Sequence, residues 1–351
     1  MLGMLGRYRK QKNVVGLDIG SSSVKVVELE VNGREAKLVR FAQAPLLPEA
    51  IVDSEIIDRQ AVVEAIQNLF EREGIKTRSV ATAVSGRAVI VKKISMERLD
   101  EEDARAAIQW EAEQHIPYDI NDVTLDFQIL RSEAKSKQME VLLVAAKKDM
   151  VHAHADLVRE AGLVPEAIDV DAFALQNAVL ASYELADDEI AALVNVGAEK
   201  TNLNLVRAGI PLHTKDLALG TSTLIEALKR KYSLGQEEAE AALHGAAEGE
   251  VDLAGTVREV FEDLASAVER AVAYLKSSGE AEKVSRILLA GGGAGLPGLR
   301  DFLAGREQVP VEVVDPLARI QIDPERVDAR QWAADAAQYS VSVGLALRKA
   351  A

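Results

Sequence analysis

Three glycine-bearing segments of this 351-residue chain carry the residue types needed to hold a phosphorylated ligand. The first is Gly16-Leu17-Asp18-Ile19-Gly20-Ser21-Ser22-Ser23-Val24-Lys25. Gly20 lets backbone amides approach an anion closely, and the hydroxyls of Ser21, Ser22 and Ser23 add donors. Lys25 offers a point positive charge to phosphate oxygens. Asp18, at the end of a buried strand, can hold a hydrated magnesium ion through the ion's waters. The second segment is Asn195-Val196-Gly197-Ala198-Glu199-Lys200-Thr201. The third runs from Ile287 through Gly291-Gly292-Gly293 to Leu296-Pro297-Gly298. Bare backbone after a buried strand permits flat contact with a base and ribose, and the helix that follows presents its positive end.

These segments need strands to position them, and the hydrophobic pattern supplies strands. Asn13–Ile19, Val24–Val31 and Ala36–Phe41 read as strand, loop, strand, tight turn and strand, with Asn32-Gly33 as the hairpin signal. A helix is predicted from Asp58 to Glu73, ended by Gly74. Strands follow at Ser79–Val84 and Ala88–Ile94, then a helix over Asp100–His115 closed by Pro117. Val123–Leu130 and Met139–Ala145 form an antiparallel pair, followed by a helix over Asp149–Ala161. The opening pattern then returns as Ile190–Val196, Asn202–Arg207 and Ile210–Leu217. Placing Asp18 on Asn195 also places Gly20 on Gly197, an internal echo at an offset of 177 residues. Two related halves facing each other would clamp a polyphosphate between their hairpins. Helices Ser222–Tyr232, Gln236–His244 and Leu253–Lys276, a strand Ser285–Ala290 and a single final helix over Gln331–Arg348 complete the pattern.

Composition narrows the class. With 41 Lys plus Arg against 56 Asp plus Glu the net charge is −15, which repels a phosphate backbone and argues against nucleic-acid binding. No cysteine is present, which removes thiolate metal sites and cysteine nucleophiles. The longest apolar runs fall far below the roughly 18 residues of a membrane-spanning helix, and residues 1–12 do not begin a secretory signal, so a cytoplasmic chain is expected. Those twelve residues form a basic tail, with Arg7, Arg9, Lys10 and Lys12 and no acid. The tail is either a foot on an anionic membrane or a frayed terminus.

The three glycine segments, in this order and spacing, resemble the actin-like ATPase superfamily. Trp110-Glu111-Ala112-Glu113-Gln114-His115-Ile116-Pro117-Tyr118, leading to Asp122-Val123, is similar to a signature of its pilus-assembly branch, the PilM family, related to FtsA. The resemblance covers about Asn13 to Arg348. It implies an α/β, actin-like (ribonuclease H-like) two-lobed fold with a duplicated core and an insert subdomain. The implied division is a tail at 1–12, a first lobe at 13–78 completed by 166–188 and 331–351, an insert at 79–165, and a second lobe at 189–330 with a helical subdomain at 218–280. ATP and magnesium are the implied cofactors, held by Asp18, Gly20, Ser21, Ser22, Ser23, Lys25, Asn195, Gly197, Thr201, Gly291, Gly292 and Gly293, with Asp18 meeting the metal through water. The implied role is a scaffold of the type IV pilus inner-membrane assembly complex, peripheral to that membrane. Its insert would receive the cytoplasmic N-terminal peptide of a PilN-like membrane protein, and the partner would supply most of the membrane association.

One residue departs from the superfamily pattern. The second hairpin normally begins with Asp, and this chain has Asn195. An amide can accept a hydrogen bond from a metal-bound water but brings no charge and cannot act as a base, so ATP binding with slow hydrolysis is expected. No catalytic residue is nominated. An FtsA-like, membrane-associated filament is the alternative reading, with self-association left open, and a sugar-kinase-type phosphotransferase ranks third. His152 and His154 lie about 200° apart around a helix, and His115, His213 and His244 lack ligand spacing, so no histidine metal site is expected. Asp100–Asp103 reads as an exposed first helical turn. Trp110 is either a core residue or an anchor for a partner.

Overall fold

The computed structural model describes residues 14–32, 35–131, 137–243, 251–277, 279 and 283–348. The basic tail, Gly33 of the expected turn and His244 lie outside them. The chain opens with β1 (Val15–Ile19), β2 (Ser23–Asn32) and β3 (Glu35–Pro45), followed by a short ribbon of β4 (Ile51–Val52) and β5 (Glu55–Ile56). Helix α1 (Arg59–Arg72) buries Val62, Val63, Ile66, Leu69 and Phe70, which recur at helical spacing. Asp58 caps it by accepting from the Ala61 amide at 3.0 Å, a contact worth about 1 kcal/mol. Next come β6 (Ser79–Val84), β7 (Val89–Glu97), α2 (Glu101–Glu113), β8 (Val123–Arg131), β9 (Gln138–Lys147), α3 (Lys148–Glu160), β10 (Val164–Val170) and α4 (Asp171–Ser182). The second half contains β11 (Ile190–Val196), β12 (Thr201–Arg207), β13 (Ile210–Leu217), α5 (Thr221–Tyr232), α6 (Gln236–Leu243) and α7 (Leu253–Ser277). It closes with β14 (Arg286–Ala290), α8 (Leu299–Glu307), β15 (Val311–Val313), β16 (Gln321–Ile322), α9 (Ala329–Asp335) and α10 (Ser340–Ala346).

The two halves repeat one topology. The first sheet runs β10-β6-β1-β2-β3-β16 and the second runs β13-β12-β11-β14-β15. Read from the other edge, the second sheet places β15, β14, β11, β12 and β13 where the first has β10, β6, β1, β2 and β3. The senses agree as well. β1 is antiparallel to β2 and parallel to β6, and β11 is antiparallel to β12 and parallel to β14. Strands β11 and β14 are almost wholly buried, and β1 is buried over Val15–Leu17, as sheets covered on both faces require. Helices α5, α6, α7 and α8 cover one face of the second sheet in a single core that includes Leu224, Leu228, Val257, Phe261, Leu264 and Val268.

Inserted between β6 and β10 of the first sheet is a separate three-stranded sheet, β7-β9-β8, whose core joins Ile94, Met96, Met139, Val141 and Leu143 to Ala104, Ile108 and Ala112 of α2. The insert is therefore narrower than 79–165. β6 is an internal strand of the first sheet, and Leu157, Val158 and Ala161 of α3 belong to the first lobe's core. The segment near β16 also returns to the first lobe. β16 pairs with β3, and Leu317 and Val327 pack with Val27, Leu29 and Leu38.

The final helix is not continuous. A 3-10 turn at Ala336–Tyr339 separates α9 from α10. The Ala337 carbonyl, which accepts from the Ser340 amide and from its hydroxyl at 2.8 Å, also accepts from the Gly291 amide at 2.9 Å, and this ties the glycine loop to the C-terminal segment. Trp332 before the break and Tyr339 within it both pack edge-on against Phe41, at 5.1 Å between ring centroids.

Candidate functional site

Each half turns from its first strand into a hairpin of the same geometry. The Gly20 amide donates to the Ser23 carbonyl at 3.0 Å, and the Gly197 amide to the Lys200 carbonyl at 2.9 Å. Across β1–β2, Asp18 lies opposite Lys25, and across β11–β12, Asn195 lies opposite Asn202. The first pair is ionic, with Lys25 Nζ 3.7 Å from Asp18 Oδ2 and both side chains recessed. Burial pushes the Asp18 carboxyl above the ordinary carboxylate range; Lys25 opposes this, Asp171 reinforces it and Lys200 opposes it. The second pair is an amide pair, in which Asn195 Nδ2 donates to Asn202 Oδ1 at 3.0 Å.

The glycine loop after β14 lies on the end of β11. A Cβ at Gly291 would fall 2.4 Å from the Val196 carbonyl oxygen, and one at Gly293 2.4 Å from Val196 Cγ1. Gly291 also has a φ of 86°, so only glycine suits that position. Gly292, between them, faces open space and offers bare backbone. Ser22 and Ser23 hold the first hairpin in place, the Ser22 carbonyl accepting from Leu46 at 2.9 Å and Ser23 pairing with Pro45. Thr201 is committed elsewhere, its hydroxyl donating to the Leu219 carbonyl at 2.7 Å.

The second hairpin is docked on the first lobe. Lys200 Nζ donates to Ser54 Oγ at 3.1 Å and to Ser85 Oγ, and lies 3.6 Å from Asp171 Oδ2. Ser85 Oγ in turn donates to Asp171. Glu199 accepts from the Asp53 amide at 3.1 Å. Asp53 and Ser54 form a β4–β5 turn with both φ angles positive, 50° and 69°, an uncommon choice for two non-glycine residues. A second connection runs through side chains: Asn202 Nδ2 donates to Asp216 Oδ1 at 2.7 Å, and the Gly86 amide donates to Asp216 Oδ2 at 2.5 Å. Gly86 stands at the root of the insert, between β6 and β7.

These residues border a cavity of about 700 Å³. The first lobe lines it with Ser21, Asp53 and Asp171, the insert and its root with Ala88, Tyr118 and Lys147, and the second lobe with Glu199, Lys200 and Asp216. Tyr118 donates to the Arg87 carbonyl at 3.0 Å, and Lys147 sits 4.8 Å above its ring. Beside the floor, His154 is hydrogen-bonded to Thr82 at 2.8 Å, and burial lowers its pKa to about 4. Sequence reasoning missed Asp171, Ser85, Asp216 and the outward role of Lys200. The one local signal was an acid opening α4 directly after a strand.

Among the described residues no cluster of three or more His, Asp or Glu could hold a metal ion, and no helix is long and apolar enough to cross a membrane. Trp110, on the outer face of α2, is 73% exposed, so it is not a core residue.

Two lobes built on one duplicated strand order, with paired hairpins and a glycine loop at their junction, define an actin-like protein. The chain belongs to the family of type IV pilus assembly protein PilM, which it matches over residues 16–350. Its structure is similar to the solved PilM–PilN type IV pilus biogenesis complex, with 28% identity, a TM-score of 0.86, and coverage of 96% of this chain and 98% of that one. It is 25% identical to the cell division protein FtsA of Enterococcus hirae over 82% of this chain and 75% of that protein. The ADP-bound MreB5 of Spiroplasma citri shares the fold at 11% identity and a TM-score of 0.53, over 95% and 94% of the two chains.

Proposed function

We propose that the chain is a nucleotide-binding scaffold of the type IV pilus inner-membrane assembly complex. In this reading the cleft between the two hairpins takes ATP, and the 700 Å³ cavity takes the cytoplasmic N-terminal peptide of a PilN-like membrane protein. The chain's attachment to the membrane then comes mainly from that partner. The observation that carries the reading is the cavity itself. It lies where the insert meets the first lobe, and its lining mixes Ile51, Ile56, Ala83 and Met150 with charged groups. Such a lining suits an extended peptide with apolar side chains.

The residues of the cleft fit a nucleotide. Gly20 and Gly197 close two matching hairpins, Lys25 is a cation beside the first of them, and Gly292 leaves backbone bare for a flat ring. Asp18, at the mouth of the first hairpin, would meet magnesium through water. When bound, the ion would neutralise phosphate charge beside a carboxyl that burial already disfavours. Asn195 is held by Asn202, which fits a site that binds ATP and turns it over slowly.

The test is a titration of the full chain with a fluorescent peptide of the first dozen residues of the organism's PilN-type protein. Saturable binding that Tyr118→Ala and Met150→Glu weaken is the expected result. No binding by the native chain would overturn the peptide assignment. The similarity to FtsA carries a second reading, a membrane-associated filament. Pelleting of the chain with anionic vesicles in the absence of any partner would favour it.

A further inference from the structure

Ser85, the residue after β6, carries a buried hydroxyl that the proposed function leaves unused. This hydroxyl donates to Asp171 Oδ2 and accepts from Lys200 Nζ, which lies 3.6 Å from the same carboxylate oxygen. A hydroxyl, a carboxylate able to take its proton and a cation are thus in mutual contact, the arrangement of an activated nucleophile. We infer that Ser85 is a site of self-phosphorylation, taking the terminal phosphoryl group of ATP held in the cleft. The inference rests on the nucleotide assignment given above and adds what the chain does to that nucleotide.

The three groups stand beside the first hairpin. Asp171 and Lys200 both act on the Asp18 carboxyl, and Ser21 of that hairpin lines the same cavity as Ser85. Lys200 closes the second hairpin, its carbonyl accepting from the Gly197 amide, so a terminal phosphate gripped between the hairpins meets its ammonium group. Ser85 is held in place from its other side. The relay from Asn195 through Asn202 to Asp216 ends on the amide of Gly86, the next residue. Other hydroxyls on the cavity wall lack this arrangement. Among the described residues no carboxylate accepts from Ser21 or Ser54, and Tyr118 donates to the Arg87 carbonyl.

In the transfer the Ser85 oxygen bonds to the terminal phosphorus while the bond from that phosphorus to its bridging oxygen breaks. The bridging oxygen keeps the electron pair and leaves on ADP, and the serine proton passes to Asp171 and on to solvent. Lys200 offsets the charge of the transferred group. The product is a phosphoserine beside Asp171, so Ser85 is consumed and the event occurs once per chain.

The full chain, stripped by a phosphatase and incubated with magnesium–ATP, tests this by intact mass and peptide mapping. A single phosphate on Ser85 is expected, gained at a rate per chain independent of protein concentration. Asp171→Asn keeps an oxygen to accept from Ser85 but cannot take its proton, and should slow the gain about a hundredfold or more. Lys200→Arg, which keeps the charge, retains more of the rate than Lys200→Met. A readout free of turnover uses an adenosine that bears a sulfonyl fluoride in place of its phosphates, and its adduct is expected on Ser85 or Lys200. Four results overturn the inference and leave the nucleotide assignment standing: magnesium–ATP binding with no gain of mass, a phosphate on another residue, a rate that rises with protein concentration, or an adduct on neither residue. Absence of nucleotide binding overturns both.

Discussion

Asn195 donates its side-chain amide to Asn202 in the register position where the first half of the molecule pairs Asp18 with Lys25. Each residue of the amide pair lies 177 positions after its counterpart in the ionic pair. The duplication has kept the place of the pair and changed its chemistry. The change is set from the far end of the relay. Asp216 can only accept, so Asn202 must turn its Nδ2 towards it and its Oδ1 towards residue 195, which must then donate.

It follows that restoring the superfamily's acid at this position is unfavourable here. With Asn195→Asp, either orientation of Asn202 sets an amide oxygen against a carboxylate. A loss of roughly 1–3 kcal/mol is expected, the usual cost of a buried polar group left unpaired. Urea denaturation of the variant beside the native chain measures it, and a variant as stable as the native chain would contradict the relay.

Asp18 and Asn195 together predict binding without fast turnover. The native chain should bind the magnesium–ATP complex and hydrolyse it far more slowly than the ~10 per second of a typical enzyme. Asp18→Asn should weaken magnesium-dependent binding about tenfold or more, the equivalent of 1.4 kcal/mol. Calorimetry and a phosphate-release assay read the two quantities.

His154 predicts a dependence of stability on acid. Its folded pKa is about 4, below the ordinary 6.5 of the unfolded chain, so the unfolded state binds the proton first. The contribution is complete above pH about 6.5 and is lost as the pH falls towards 4. Between pH 7 and 4.5 the native chain should lose roughly 2–3 kcal/mol more than His154→Asn, at 1.36 kcal/mol per pH unit. Denaturation midpoints at the two pH values measure the difference. The comparison with the variant isolates the histidine from the raised carboxyls of Asp18 and Asp169, which act in the opposite direction.

Two glycines join the C-terminal helix to the first lobe. A Cβ at Gly16 would fall 1.9 Å from the Ser342 carbonyl oxygen, and one at Gly344 1.7 Å from that of Ala174. Backbone cannot yield as a side chain does, so each change to alanine should cost about 3 kcal/mol or more. Gly292→Ala, which meets nothing within 4 Å, should leave stability within about 0.5 kcal/mol. Thermal melts of the three variants distinguish the cases.

The strands and helices that show one apolar face were legible before any coordinates. The α1 stripe, the β11–β13 echo and the α7 stripe of Val257, Phe261, Leu264 and Val268 are examples. α4 was not legible. It buries Ala172, Ala174, Leu175, Gln176, Ala178 and Val179 around most of its circumference, which leaves no amphipathic period to read. The single C-terminal helix expected over 331–348 is broken at a 3-10 turn whose Ala337 carbonyl accepts from the Ser340 amide and hydroxyl and from Gly291, more than forty residues earlier, a long-range contact no local pattern announces.

The amino-acid order alone determined the duplicated strand pattern, the two matching hairpins and the glycine loop. Each depends on neighbours within a dozen residues, and local sterics and hydrophobic periodicity act over that range. The cavity, the limits of the insert and the outward reach of Lys200 were decided only by tertiary structure. The insert's limits follow from the pairing of β6 and the packing of α3 in the first lobe; the cavity and Lys200 involve Ser54, Ser85, Asp171 and Asp216, which lie 16 to 146 residues from Lys200 in the chain, and only the packed sheets bring them together.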